Sequence, residues 1–178
     1  MLPPMSRARS VAFADDPCPG AVAVRSGVRL AVDVGSVRVG VARSDPDGVL
    51  ASPLEVIRHG RGDLDRLAEL AAVSGALEVI VGLPTTLAGR QGQAATGARQ
   101  VAADLAARIA PVPVRLFDER FTTTTAHAVL RQGGKNARAR RGVIDAAAAA
   151  VLLQAALDSE RVTGQPPGEL VPAAGRTS

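Results

Sequence analysis

Tryptophan and tyrosine are absent from this 178-residue sequence, and phenylalanine occurs three times. Stacking of bases on an aromatic platform is therefore not an expected way for the protein to hold nucleic acid. The single cysteine, Cys18, leaves no possibility of an internal disulfide, which suits a reducing compartment, and it reads as a spectator. Two histidines, His59 and His127, lie near no cysteine or acidic cluster, so no zinc-ligand spacing arises. No apolar run reaches the length of a bilayer span, and the first residues carry no apolar signal core. The expectation is a soluble cytoplasmic protein with no membrane partner.

The chain does have aliphatic residues. It is 47% hydrophobic, which is enough for a core built from Ala, Val, Leu and Ile. The net charge of +4 and sequence pI of about 10.8 suit a polyanionic partner. The length fits one domain with tails. Prolines and glycines interrupt residues 1–27 and 161–178 without a persistent period, so both segments are expected to be flexible. The domain is expected to span residues 28–160.

Within that domain the hydrophobic period changes along the chain. Arg29 to Val34, Val37 to Arg43 and Val49 to Ile57 alternate as strands, with Asp45-Pro46-Asp47-Gly48 as a turn. Pro53 places part of the third strand at an edge or bulge. Leu64, Leu67, Ala68 and Ala71 then recur at helical spacing, and Gly75 is a plausible stop. Glu78 to Gly82 reads as a central strand. A second helix presents Ala98, Val101, Ala102, Leu105 and Ile109, and Val114 to Phe117 is a fifth strand. Thr122 or Thr123 is expected to cap a short helix ended by Gly133-Gly134, and the last helix is expected from about Val143 to Leu157. The sum is an α/β fold: a mixed five-stranded sheet, three antiparallel strands and then alternating helix and strand, with helices on its faces.

Acids stand at element ends: Asp33 closing strand one, Asp118 and Glu119 closing strand five, and Asp145 near the start of the last helix. Carboxylates converging at the carboxyl ends of strands suit hard divalent ions, Mg²⁺ or Mn²⁺. Two such ions can activate water and steady a leaving oxygen in phosphodiester cleavage. Each acid also has a plainer reading. Asp33 can satisfy turn N–H groups, Asp145 can favour a helix dipole, and Asp118 or Glu119 can pair with Arg115 or Arg120. Arg38 is either a surface arginine or a contact to phosphate or an active-site carboxylate. Lys135, Arg138, Arg140 and Arg141 form a basic run, a solvated loop unless it lies beside the acids.

Taken together, four segments are similar to one known family. Asp33-Val34-Gly35-Ser36-Val37-Arg38-Val39-Gly40-Val41-Ala42 resembles the D-x-G-x-x-R-x-G-[VI]-A signature of the YqgF family, also called RuvX. Val81-Gly82-Leu83-Pro84, Asp118 to Thr123, and Gly142 to Ala149 resemble its VGLP, DER-x-[ST]-[ST] and final D-x-x-A-A segments in the same order. The match covers residues 28 to 160. The resemblance implies a ribonuclease H-like fold and a nuclease of precursor 16S ribosomal RNA, related to Holliday-junction resolvases. It implies that Asp33, Glu119 and Asp145 bind metal and catalyse, with Asp118 as a further candidate ligand or a holder of Arg120. Arg38 and Arg120 match positions the family keeps near the site; with Lys135, Arg138, Arg140 and Arg141 they are the candidate nucleic-acid contacts. Two departures stand out. Related resolvases carry a carboxylate on strand four, where this sequence has Gly82-Leu83-Pro84, and Leu87-Ala88-Gly89 lacks the acid or amide often found before that glycine.

The leading expectation is a Mg²⁺- or Mn²⁺-dependent nuclease trimming the 5′ end of pre-16S rRNA, as a monomer or homodimer. A resolvase of four-way DNA junctions keeps the chemistry but calls for two symmetry-related sites. An actin-like ATPase needs a second such domain. A non-catalytic RNA-binding module leaves the three acids unexplained.

Overall fold

A computed structural model describes residues 24–84, 92–118, 120 and 137–173, and only the backbone of 137–143. The expected tail up to residue 23, Cys18, Leu87-Ala88-Gly89, Glu119, the Thr122/Thr123 cap, His127, Gly133-Gly134 and Lys135 lie outside the described residues. The elements are β1 (Arg29–Val34), β2 (Arg38–Ser44), β3 (Ala51–Arg58), α1 (Asp63–Val73), β4 (Glu78–Leu83), α2 (Gln93–Ile109), β5 (Val114–Asp118), α3 (Ala137–Thr163) and β6 (Glu169–Val171).

The sheet order is β3-β2-β1-β4-β5-β6. β1, β2 and β3 form an antiparallel meander, while β4 and β5 run parallel to β1. This is the expected mixed arrangement, three antiparallel strands followed by alternating helix and strand, with six strands instead of five. The β2–β3 turn forms because the Asp45 carboxylate accepts the Val49 and Leu50 N–H groups at 2.7 and 3.0 Å. Pro53 has no N–H to give. It lies on the edge strand β3, where the register shifts between Val41 and Ala42.

Strand alternation divides the core in two. Leu30, Val32, Val39, Val41, Val79 and Val81 pack under α1 and α2 with Leu67, Ala98 and Leu105. Ala31, Ala42, Ile80 and Phe117 face α3, against Ala149, Leu152, Leu153, Ala156 and Leu157. Full burial of each leucine contributes roughly 1.5–3 kcal/mol, and the alanines between them let the helix lie close to the sheet.

Three expectations change. The sixth strand comes from the segment read as a C-terminal tail. Gly168, at φ 74°, turns the chain against the Leu116 carbonyl, where a Cβ would not fit, and Glu169–Val171 then pairs antiparallel with β5. Second, α3 is longer at both ends than expected and takes in the backbone of Arg138, Arg140 and Arg141. Arginine and alanine are good helix formers, so a run of cations among alanines need not be a loop. Third, His59 is not isolated. Its Nδ1 lies 2.7 Å from the Asp63 carboxylate at the start of α1, which also accepts the Gly60 N–H at 2.9 Å. Burial pushes the Asp63 carboxyl up, but these hydrogen bonds outweigh it and hold the group below its ordinary value.

Candidate active site

Asp33 is the penultimate residue of β1, on the same face as Ala31 and therefore toward α3. Across the antiparallel ladder it pairs with Gly40 of β2. Gly40 is where α3 comes down on the sheet: a Cβ there would run into the carbonyl of Asp145 and then the amide of Ala146. Register and close packing thus put the two acids, 112 positions apart by sequence number, on either side of one glycine. Arg38, on the same face of β2, reaches the Asp145 carboxylate at 3.5 Å, and both side chains are about one-third exposed. Gly35, Ser36, Val37, Arg38 and Asp145 line an open cleft of about 270 Å³ at the carboxyl end of β1.

Asp145 sits well inside α3, whose first turn holds no acid, so the helix dipole does not account for it. Asp118 behaves differently. It shares a face with Val114 and Leu116, the side away from α3, and accepts Arg120 N–H and Nε at 2.9 and 2.8 Å. It therefore holds Arg120, one of the two roles read from the sequence. Arg115 pairs with Glu78 and not with Asp118. Glu119 and Lys135 lie outside the described residues, as do the side chains of Arg138, Arg140 and Arg141. Ser36 and Val37 line the cleft without having been singled out, because β1–β2 register cannot be read from the motif alone.

Asp33 and Asp145 offer only oxygen donors, which suits a hard divalent ion. Among the described residues no three His, Cys, Asp or Glu gather into a metal-binding group. Gly40→Ala should expose how much this arrangement depends on close packing. The new methyl meets helix backbone, which cannot swing aside, so α3 must move. The expected cost is about 1–3 kcal/mol in a urea melt, together with weaker Mn²⁺ binding. Gly97→Ala in α2, where a Cβ meets nothing, should instead gain up to about 1 kcal/mol.

The family model described as "RuvX: Holliday junction resolvase" matches residues 27–159. A Thermobifida fusca protein provisionally named a pre-16S rRNA nuclease is 61% identical over 155 residues, which cover 83% of this chain and 98% of that protein. A Nocardioides protein with the same provisional name is 55% identical over 153 residues, again covering 83% and 98%. The structure of Thermus thermophilus RuvC in complex with a Holliday junction substrate is similar at 17% identity and TM-score 0.47, over 82% of this chain and 99% of that one.

Proposed function

The chain belongs to the RuvX family, and from that premise we propose that it is a divalent-metal-dependent nuclease that hydrolyses phosphodiester bonds of structured RNA at the 5′ end of pre-16S rRNA. The observation that carries the reading is that Asp33 pairs with Gly40 while the backbone of Asp145 packs on that same glycine, with Arg38 on the Asp145 carboxylate. Asp33, Asp145 and Glu119, one residue beyond the end of β5, would hold Mg²⁺ or Mn²⁺. The bound ions would supply an activated water and charge stabilisation at the leaving oxygen. Arg38 steadies the Asp145 carboxylate and presents its remaining donors to a phosphate entering the cleft. Arg120, Lys135, Arg138, Arg140 and Arg141 are the proposed backbone contacts, and the setting is the cytoplasm. No helix among the described residues is long and apolar enough to cross a membrane.

The family's description favours one second reading, a DNA-junction resolvase, which would need a homodimer to supply two symmetry-related sites. A cleavage assay with titrated Mg²⁺ or Mn²⁺ separates the two by offering pre-16S RNA and a four-way DNA junction to the same protein. RNA cleavage that requires the metal and disappears in Asp33→Asn supports the proposal. Cutting of the junction alone transfers the site to DNA, and cleavage undiminished in Asp33→Asn removes the acids from the chemistry.

A further inference from the structure

We propose that Arg58, at the end of the edge strand β3, forms with Arg38 a phosphodiester-binding subsite that carries the nucleic-acid backbone away from the acids. This rests on the nuclease reading above and adds a contact it does not contain. Arg38 and Arg58 are direct cross-strand partners. The His59 N–H donates to the Val37 carbonyl at 2.9 Å, so the Arg38–Arg58 pair is the closer, non-hydrogen-bonded kind, with Cα atoms about 4.5 Å apart. Like charges so placed are destabilising in the free protein. Arg38 is partly compensated by Asp145, but among the described residues Arg58 has no ion-pair partner. Both arginines lie on the α3 face with Val56, which pairs with Gly40. Val37, Arg38, Val56 and Arg58 line an open groove of about 400 Å³, continuous through Val37 and Arg38 with the cleft that holds Asp145. The groove opens at the sheet edge, as a polymer entering from solvent requires. A phosphodiester bridging the two guanidinium groups would turn their repulsion into paired, charge-assisted hydrogen bonds.

The test reads binding without cleavage. In an Asp145→Asn background, a labelled pre-16S RNA fragment is titrated with Arg58→Gln, Arg58→Lys and, as a control, Arg108→Gln, whose arginine pairs with Asp65 away from the site. Arg58→Gln is expected to weaken binding by about 3- to 10-fold near 0.1 M salt and to lower the slope of log K against log salt by about 0.7–0.9. Arg58→Lys should restore most of the slope and Arg108→Gln should leave it alone. Unchanged affinity and slope in Arg58→Gln, or an equal fall in Arg108→Gln, overturns the subsite. The two readings fail separately. A wild type that cleaves RNA while Arg58→Gln binds normally sinks the subsite alone. A wild type that never cleaves, with Arg58→Gln still weakening RNA binding, sinks the nuclease reading and leaves the subsite standing.

Discussion

Asp145→Asn is expected to lower single-turnover cleavage by at least about 100-fold at saturating Mg²⁺, because loss of an outer-shell partner alone commonly costs a metal site 10- to 100-fold. Its stability should change by no more than about 1 kcal/mol. The side chain is about one-third exposed, and its visible partner is Arg38 at 3.5 Å, so only a solvent-screened ion pair is lost. Asp33→Asn should behave alike. Groups that act as a unit are not additive, so the double variant should be little worse than the poorer single one. Mn²⁺ titration followed by calorimetry or paramagnetic relaxation gives a readout independent of turnover, and both variants should bind the ion more weakly. A folded Asp145→Asn protein retaining more than about a tenth of wild-type cleavage would remove Asp145 from the metal set.

Much of this site was legible because strand ends are legible. Asp33 follows an apolar run and precedes a glycine turn, and Glu78 to Gly82 could scarcely be anything but a central strand. Which face an acid takes depends on alternation counted from a residue known to be buried. Asp118 and Phe117 are neighbours, but only the structure puts Phe117 toward α3 and Asp118 away from it. The start of α3 is not readable because a cation-rich stretch satisfies loop and helix alike, and the position of Asp145 relative to the helix dipole is hidden with it. β6 was hidden because three residues carry no period and the prolines around them speak for loop. Least legible was the charge cluster at the far end of the sheet, whose partners lie 131 and 135 residues apart.

That cluster should dominate stability. The Glu78 side chain, fully buried at the start of β4, accepts hydrogen bonds from Arg25 at 2.6 Å, Arg29 at 3.3 Å and Arg115 at 3.0 Å. Glu160 near the end of α3 takes Arg25 at 2.8 Å and Arg29 at 3.0 Å. Three cations thus share two carboxylates, and the Arg29 side chain has no exposed surface. Glu78→Gln leaves them with one, and an uncompensated buried charge costs about 3–5 kcal/mol. Urea melts should show that loss. Pairing the change with Arg29→Gln should recover part of it, through a coupling of order 1–3 kcal/mol. Acid should act on the same cluster. Burial pushes the Glu160 carboxyl up, but Arg25 and Arg29 outweigh it and hold the group below its ordinary value. Its stabilisation is therefore present above the unfolded-state value near 4.3 and is lost as pH falls through the lower folded-state value. Glu160 lies 15 residues beyond Asp145, about 22 Å along α3, so the cluster anchors one end of the helix while Gly40 receives the other. Glu78→Gln should therefore melt early yet cleave normally below its transition, the opposite of the stable but inactive Asp145→Asn. If Glu78→Gln lost cleavage in proportion to stability, the far anchor would be setting the position of Asp145, and close packing at Gly40 would not be sufficient to do so.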